Sequence, residues 1–432
     1  MKTNVARSVP QIQTHEGGRA ARITPEQELR RTVMACLLWE DNFYEDGVSV
    51  AQRISALVET VGAEAVRKIA IEAREQMNLR HVPLLLCREM ARHKKLDAAT
   101  LERVIQRADE LAEFLAIYWK DGRVPLAAQV KKGLAGAFRK FNEYALAKYN
   151  RDEAVKLRDV LFLTHAKPKD EEQAALWKRL VDGQLATPDT WEVELSKGGP
   201  DKKVSWTRLL AEKKLGALAL LRNLRNMEEA GVDGAAVKAA LSDADVRRVL
   251  PFRFIAAARY APRYEPDLEA LLFKSLVEAQ KLGDETIVLV DVSGSMNAPL
   301  STKSDMTRMD AACGLAMVAR EVCRSVRVFT FSHKLVEVAS RRGFALRDAI
   351  VGSQEHGGTY LALALKVIPV CNRLIVVSDE QAHDNIESVK ADRAYMLNVA
   401  TFRNGVGYGG KWTHIDGFSE ACVRYIQALE AA

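Results

Sequence analysis

The spacing of apolar residues changes near Gly283, and this change constrains the fold more than any other feature of the sequence. Before Gly283, apolar side chains recur three and four residues apart, which is typical of amphipathic helices. After it, short apolar and β-branched runs alternate with helical stretches, which is typical of a doubly wound parallel sheet. The sequence therefore predicts two domains of different class, an all-α domain followed by an α/β domain.

The first part of the chain predicts one helix after another. Thr24 to Gln27 offers an N-cap, a proline at the first helical position and a capping-box glutamine. Residues 101–119 carry the clearest amphipathic stripe, and further helical patterns cover residues 50–61, 64–77, 82–93, 126–147, 171–181, 206–229, 235–240 and 267–281. Paired helices with short connections predict a helical solenoid. We expect a flexible tail at 1–22, a helical domain at 23–283 and an α/β domain at 284–432.

Four short apolar runs predict the strands of the α/β domain, at residues 286–290, 326–331, 374–377 and 395–400. Helical patterns at 306–323, 359–369 and 417–430 alternate with them. In a doubly wound sheet, ligands bind at the carboxyl ends of the strands. Side chains that follow these strands are therefore the first candidates for a functional site.

Oxygen-bearing side chains follow the first of these strands. Asp291, Ser293 and Ser295 alternate within one turn, so a carboxylate and two hydroxyls can meet at one small site. Thr359 opens a later helix and Asp379 follows another strand, so the sheet would bring both to the same edge. Five oxygen donors suit Mg²⁺ or another hard divalent cation. This D-x-S-x-S pattern resembles the metal-ion-dependent adhesion site of von Willebrand factor A domains, which implies an open coordination position for a partner's carboxylate.

Two enzymatic interpretations of the same segment are weak. A serine hydrolase elbow, G-x-S-x-G, would need glycine where Asp291 stands. A phosphatase with an aspartate nucleophile would need a second acid where Ser293 stands. A sharp turn whose serines merely cap the next helix also stays open. We predict a site that binds and does not catalyse.

Composition excludes several other classes of protein. The chain lacks an apolar run long enough for a membrane span, and residues 1–22 lack the apolar centre of a signal peptide. The eight histidines include no H-E-x-x-H pair. The six cysteines show no metal-ligand spacing, which favours reduced thiols in a cytoplasmic protein; they are Cys36, Cys87, Cys313, Cys323, Cys371 and Cys422.

The basic excess lies in the helical part. Residues 1–283 carry 47 basic and 40 acidic groups, whereas residues 284–432 carry 16 and 17. The window 123–169 alone holds eleven basic and four acidic groups, interleaved with Phe138, Phe141, Tyr144 and Tyr149. Cations that contact phosphates and aromatic rings that stack on bases are typical of RNA-binding surfaces. Solvated helix faces above core aromatics would give the same composition, so charge alone does not decide between them.

Spacing adds detail to this window. Lys132, Arg139 and Lys140 fall close together on one helical face, and Gly133 and Gly136 would let a phosphate backbone approach it. His165 and Lys167 follow the apolar stretch 160–163, which places donors just past a helix end.

The order of these parts resembles the TROVE family of Ro autoantigen proteins, in which a helical-repeat ring precedes a von Willebrand A domain. The residues that carry the resemblance are the segments 132–140, 157–168, 218–223 and 251–254. It extends over nearly the whole chain from about residue 20. The resemblance implies HEAT-like repeats that form a ring and an RNA-binding function.

More specific roles are also implied by the resemblance. Its members bind a small noncoding Y RNA on the outer face and single-stranded 3' ends of noncoding RNA in the ring hole, and some act with an exoribonuclease in RNA quality control or processing. Lys148, His165 and Arg151 match positions that contact Y RNA, and Arg139 and Lys140 lie in a matching basic helix. Candidates for the hole are Arg222, Arg225, Arg253 and Arg259. We expect a monomeric protein and leave open a second function, a metal-dependent protein-interaction scaffold without RNA binding.

Overall fold

The computed structural model describes residues 12–431 except for 15–16, 21, 35–46, 188–190, 192, 194–200, 248, 277–280, 301–305, 387–388, 401, 403–404, 408 and 420. The chain forms two compact units. The helical unit contains residues 49–277, and the α/β unit contains residues 278–432 together with the N-terminal residues as far as Ala35. Among the described residues, no helix is long and apolar enough to cross a membrane.

The described residues of the helical unit form α-helices, most of which are joined by short connections. They are α2 (Gly47–Thr60), α3 (Ala63–Glu75), α4 (His81–Arg92), α5 (Ala98–Val104), α6 (Asp109–Tyr118), α7 (Ala128–Phe138), α8 (Glu143–Tyr149), α9 (Leu157–Thr164), α10 (Glu171–Val181), α11 (Lys202–Ala211), α12 (Ala217–Glu229), α13 (Gly234–Asp243), α14 (Pro251–Tyr260) and α15 (Glu265–Lys274). Pairs such as α5 and α7, α3 and α4, and α12 and α14 pack together, which confirms the predicted helical-repeat class.

Three of the predicted helices are divided in the structure. The stripe at 101–119 belongs to both α5 and α6, because the buried carboxylate of Glu110 accepts the backbone N–H groups of Gln106 and Arg107 at 2.8 and 3.0 Å. Asn142 caps α8 through the N–H of Ala145 and so divides 126–147, and Gly216 stands at the N-cap that divides 206–229. Apolar periodicity continued across each break and concealed it, since side-chain capping is a local polar effect.

The α/β unit contains a six-stranded sheet with helices packed on it. The strands are β1 (Leu282–Asp291), β2 (Cys323–Phe331), β3 (Leu335–Val338), β4 (Cys371–Ser378), β5 (Ala391–Asn398) and β6 (Trp412–Asp416). The helices of this unit are α1 (Pro25–Met34), α16 (Arg308–Val322), α17 (Gly343–Val351), α18 (Leu361–Val367) and α19 (Ala421–Ala431).

The strand order is β3-β2-β1-β4-β5-β6, and every neighbouring pair is parallel except β2 and β3. The predicted α/β domain is therefore confirmed, with all four predicted strands in the sheet. The antiparallel edge strand β3, the opposite edge strand β6 and helix α17 were not predicted. Only residues 332–334 join β2 to β3, and a connection that short permits a hairpin but no parallel crossover.

The N-terminal residues lie in the α/β unit, which differs from the predicted boundaries. Helix α1 contacts β6. Within the segment predicted to be a flexible tail, the hydroxyl of Thr14 donates to the carbonyl of Ala382 at 2.8 Å, and the backbone N–H of Arg19 donates to Asn385 at 2.8 Å. Thr14 and Arg19 therefore contact the loop after β4, although the polar composition around them gives no sign of these contacts.

Candidate metal centre and candidate RNA-binding surface

The candidate metal residues meet where the strand order reverses. Asp291 is the last residue of β1, and Asp379 directly follows β4, the strand that pairs with β1 in parallel. Because the chain runs away from this point in opposite directions, the neighbouring connections leave a crevice at the carboxyl ends of the two strands. Both carboxylates are fully buried there.

A chain of hydrogen bonds joins the two carboxylates to the hydroxyls. One oxygen of Asp291 accepts the backbone N–H of Ser293 at 2.9 Å. The hydroxyl of Ser295 donates to Asp379 at 2.6 Å and lies 3.4 Å from the hydroxyl of Ser293. The second oxygen of Asp291 accepts the hydroxyl of Ser378 at 2.6 Å. Ser378 was not predicted as part of this site, although its place one residue before Asp379 would have been a usable signal.

Thr359 lies on a loop that is tied to this chain. The backbone N–H of Gly294 donates to the carbonyl of Gly357 at 2.8 Å, and the N–H of Thr359 donates to the ring of His383 at 3.1 Å. A Cβ atom on Gly357 would stand 1.7 Å from Nε2 of His333, so a larger residue there would displace the His333 ring. Thr359 is 3% exposed, which places it among buried groups like the other four candidates.

Electrostatics favour a cation at this place. Burial and the neighbouring charge of Asp379 raise the pKa of Asp291 to about 7, because two carboxylates in a buried site disfavour each other's charged form. A guanidinium nitrogen of Arg308 lies 3.7 Å from Asp379 and offsets part of that charge. Arg308 was not predicted, since nothing in its local sequence marks it as a partner of Asp379.

The donors fit a hard divalent cation. Two carboxylates and three hydroxyls offer oxygen ligands only, as Mg²⁺ prefers. Among the residues that the structure describes, no group of three His, Cys, Asp or Glu side chains could hold a metal ion, so this centre would depend on its hydroxyls. The five described cysteines are free and buried, and Cys36 lies outside the described residues.

A buried ionic cluster adjoins the candidate centre. Nη1 of Arg31, on α1, donates to the carboxylate of Glu380 at 2.7 Å, and both side chains are fully buried. Nη2 of Arg31 lies 3.4 Å from the carbonyl of Asp379, and Nε donates to the carbonyl of Phe402. His414 contacts Glu380 through Nε2 and lies 3.3 Å from Asp416 through Nδ1. Helix α1 is thus attached to the residue that follows a candidate metal ligand.

The basic residues predicted to bind RNA differ in what they contact. Lys132, Lys167 and Arg151 are exposed. Arg139 is exposed, but its Nε donates to the carbonyl of Lys167 at 2.9 Å and so anchors the loop after α9. The ammonium of Lys140 donates to the carbonyls of Glu102 and Ile105, at the end of α5. Partial burial of the ammonium against these carbonyls lowers the pKa of Lys140, although the residue as a whole is exposed.

The prediction that Gly133 and Gly136 face a phosphate backbone is wrong. A Cβ on Gly133 would stand 2.9 Å from the carbonyl of Ala98, and one on Gly136 would stand 2.2 Å from the carboxylate of Glu102. Both glycines therefore allow α7 to pack closely on α5. Close helix packing and close approach of a phosphate both require a small residue, so the sequence alone could not show which of the two roles these glycines have.

Lys148 and His165 lie on α8 and at the end of α9. The ammonium of Lys148 stands 5.6 Å from the ring centroid of Tyr149, and the guanidinium of Arg107 stands 4.9 Å from the same centroid. His165 is exposed and caps α9 in the left-handed conformation, with φ of 52°. The chain turns there and continues into the exposed residues 167–169.

The aromatic rings of this region divide into core and surface. Phe138 and Phe141 are buried, whereas Tyr144 is 46% exposed. Phe162 is 61% exposed and was not singled out, because it lies in the stretch 160–163, which is apolar throughout.

The four arginines proposed for the ring hole lie on the packed helices α12 and α14. Arg222, Arg225 and Arg259 are exposed, and Arg225 pairs with Glu229 at 3.3 Å. Burial lowers the pKa of Arg253, and the nearby charge of Arg222 lowers it further. Two guanidinium groups therefore lie close enough to repel each other, an arrangement that a bound anion would stabilise.

Comparisons with known proteins agree with this architecture. Residues 177–432 match the family model described as TROVE domain. The crystal structure of the RO (RSR) protein of Deinococcus radiodurans is similar to this chain, with 18% sequence identity, 94% of this chain and 99% of that chain covered, and a TM-score of 0.59. At this identity the likeness establishes the fold. A comparison with curated proteins found no match.

Proposed function

We propose a function for this chain from the premise that it belongs to the TROVE domain family, a family of RNA-binding proteins. In this proposal the chain is a non-catalytic component of a ribonucleoprotein. A small structured noncoding RNA of the Y type binds the surface formed by α7, α8, α9 and the loop after α9. Single-stranded 3' ends bind the arginines on α12 and α14, in noncoding RNA quality control or processing.

The exposed basic set around the end of α9 carries the proposal. Lys132, Lys167 and Lys169 are exposed, and His165 stands beside the latter two at the end of the helix. Several of the acids nearby are paired or used in caps: Asp152 pairs with Lys156, Asp159 caps the start of α9, and Asp170, which caps the start of α10, also lies 3.7 Å from Lys169. The surface therefore offers cations to phosphate groups, which supply the sequence-independent part of RNA affinity.

Arg222 and Arg253 support the second RNA site. Close guanidinium groups, one of them half-buried, suit phosphate because each can donate in a forked geometry. Tyr260 is 48% exposed, and its ring centroid lies 5.7 Å from the guanidinium of Arg225. A cation beside an exposed ring is typical of surfaces that hold unpaired nucleotides.

The Lys148→Ala/His165→Ala double variant is expected to bind a hairpin RNA with an unpaired loop more weakly than the wild-type chain does. The loss of one lysine contact to phosphate should also reduce the slope of log affinity against log salt concentration by about one. Fluorescence anisotropy of the labelled hairpin, measured over a series of salt concentrations, gives both quantities. We expect the RNA recovered from the complex to be uncut.

Lys334→Ala is the matched control, since it removes one exposed lysine from the α/β unit. It should leave the affinity and the salt slope nearly unchanged. Full affinity in the double variant would contradict the assignment of Lys148 and His165, and the absence of any complex at low salt with wild-type protein would contradict the proposed function as a whole.

For the α/β unit, we propose that Asp291, Ser293, Ser295, Thr359 and Asp379 hold a divalent cation, with Mg²⁺ as the first candidate. The cation would supply a positive charge that neutralises the two buried carboxylates and attracts an acidic group of a partner protein. Support comes from the oxygen-only donor set and from the raised pKa of Asp291. The exoribonuclease partner named by the resemblance is one such candidate partner.

Adding Mg²⁺ or Mn²⁺ is expected to raise the unfolding temperature of the α/β unit, and Asp291→Asn should remove this effect. A ligand that binds only the folded state stabilises it by about 2.7 kcal/mol when its concentration is 100 times its dissociation constant. Thermal unfolding with and without divalent ions, together with isothermal titration of Mn²⁺, measures the effect. The control is Asp348→Asn, an exposed carboxylate of the same unit. A wild-type chain that binds no divalent ion would contradict the metal proposal.

The same variants separate the two candidate functions. If the chain is a metal-dependent interaction scaffold, Asp291→Asn abolishes partner capture and leaves RNA binding unchanged. If RNA binding is the main function, Lys148→Ala/His165→Ala has the larger effect. A Mg²⁺-dependent phosphohydrolase is the remaining alternative, and reproducible cleavage of RNA by the purified protein would favour it.

A further inference from the structure

We propose that Phe162, flanked by Arg158 and His165, is a stacking platform for one unpaired nucleobase of a bound RNA. This inference rests on the proposed RNA-binding function and adds to it a residue that no charge argument selects. Phe162 lies in α9 with 61% of its surface exposed, although the neighbouring Val160 and Leu161 are buried. A phenylalanine left largely in water forgoes burial free energy, which a stacked base would partly recover.

The residues around Phe162 are suited to a nucleotide. Arg158 lies four residues before it on the same face of α9, and His165 lies three residues after it, at the C-cap where the helix ends. Both flanking side chains are exposed. A guanidinium can stack on a base or contact a phosphate, and an imidazole can stack or donate a hydrogen bond. An aromatic ring between two such groups is typical of a site for an unpaired base, whereas an apolar protein partner would favour apolar neighbours.

The end of α9 keeps this face accessible. His165 caps the helix in the left-handed conformation, and the backbone N–H of Ala166 donates to the carbonyl of Leu161 at 3.4 Å. The chain then leaves the helix axis, and Arg139 holds the following loop through the carbonyl of Lys167. The side chains of Lys167 and Lys169 are exposed on this loop and can reach the phosphates next to a base stacked on Phe162.

Asp159, the residue after Arg158, does not prevent Arg158 from contacting a phosphate. The carboxylate of Asp159 accepts the backbone N–H of Lys156 at 2.9 Å, as part of the capping box that begins α9. Its closest approach to the guanidinium of Arg158 is 3.9 Å, too long for a hydrogen bond. The two side chains form an exposed ion pair without a hydrogen bond, so the N–H groups of Arg158 remain available to a phosphate.

The test compares Phe162→Leu, which keeps an apolar side chain, with Phe162→Trp, which keeps an aromatic ring. The probe is a hairpin RNA with 2-aminopurine in its unpaired loop, and a blunt, fully paired duplex of the same composition is the reference. Stacking on an aromatic side chain contributes roughly five- to 150-fold in affinity per base. We expect Phe162→Leu to lose affinity for the hairpin within this range and to lose the fluorescence change on binding. Phe162→Trp should retain both, and duplex affinity should not change in either variant.

Tyr425→Leu serves as the matched control, because it removes a ring that is 45% exposed in the α/β unit. Unfolding curves of Phe162→Leu and the wild-type chain should coincide, since the side chain is mostly solvated. If the wild-type chain binds the hairpin and Phe162→Leu binds it equally well with the same fluorescence change, the stacking proposal is wrong and the proposed function stands. If the wild-type chain binds neither RNA, both are wrong.

Discussion

Replacing Arg31 by methionine is expected to destabilise the α/β unit by about 3–5 kcal/mol, the usual effect of removing one partner from a buried ion pair. Arg31 and Glu380 are both fully buried, with 2.7 Å between Nη1 and Oε1. The substitution leaves Glu380 with His414 and the backbone N–H of Gly407 as partners. It also removes the donor to the carbonyl of Phe402.

A double-mutant cycle with Glu380→Gln isolates the pair from its surroundings. Each single variant leaves a buried charge, whereas Arg31→Met/Glu380→Gln removes both, so the double variant should lose less than the sum of the two single losses. Arg31→Lys should fall between wild type and Arg31→Met, because an ammonium keeps the charge but cannot reach three acceptors in a forked geometry. Arg324→Met, at an exposed arginine of β2, is the matched control.

Hydrogen exchange read by peptide is the appropriate measurement, because a chain of two units need not unfold in one step. Faster exchange is expected in the peptides of β4, β5 and β6 and not in those of α3 to α9. Equal exchange in Arg31→Met and Arg324→Met would show that the pair does not hold α1 on the sheet. A coupling energy near zero in the cycle would show that His414 and the N–H of Gly407 stabilise Glu380 without Arg31.

The candidate metal centre could be predicted from the sequence because its geometry is local. Asp291, Ser293 and Ser295 are spaced so that one turn brings them together, and the apolar run before them identifies the strand. The sheet then determines which later carboxylate is near, since β4 pairs with β1 and ends at Asp379. The period of the apolar pattern, the D-x-S-x-S motif and the rule for strand connections were therefore sufficient to predict which residues lie together at this edge of the sheet.

Contacts between distant residues left no such signal. Arg31 and Glu380 are separated by 349 residues, and neither has a neighbour that identifies its partner. Lys140 was included with the RNA-binding residues because its charge is visible in the sequence, whereas the two carbonyls that it caps are not. For Phe162 the sequence is misleading in the opposite sense. A phenylalanine within an apolar stretch is expected to be buried, and only the direction of its helix face in the structure shows that it is exposed.

The stability of the α/β unit is expected to fall as the pH rises through about 9, owing to His414. Burial alone would lower the pKa of His414, but the charges of Asp416 and Glu380 outweigh it and raise the pKa to about 9 from an ordinary value of 6.5. A group whose pKa is higher in the folded chain stabilises it fully below the unfolded value and loses this contribution as the pH passes the folded value. At about 1.4 kcal/mol per pKa unit, the loss is about 3 kcal/mol at most.

The contribution of Glu380 to stability has the opposite pH dependence, and it sets the acidic end of the pH range in which the cluster is stabilising. Burial would raise its pKa, but Arg31 and His414 lower it to about 2 from 4.5. Its contribution is present above pH 4.5 and is lost as the pH falls through 2. The cluster therefore stabilises the unit most between about pH 4.5 and 6.5. Cys371, in the same unit, stays protonated in the alkaline test range because burial raises its pKa to about 11.

Urea unfolding of the wild-type chain and of His414→Gln at pH 6.5 and above pH 9, in a buffer without divalent ions, measures the effect. The wild-type chain should lose stability between the two conditions, and His414→Gln should start lower and lose less, since a neutral amide cannot titrate. His356→Gln, at a loop histidine of the same unit, should follow the wild type. A histidine NMR titration that places His414 near its ordinary pKa would contradict the prediction, because the two flanking carboxylates would then not hold the imidazolium charge.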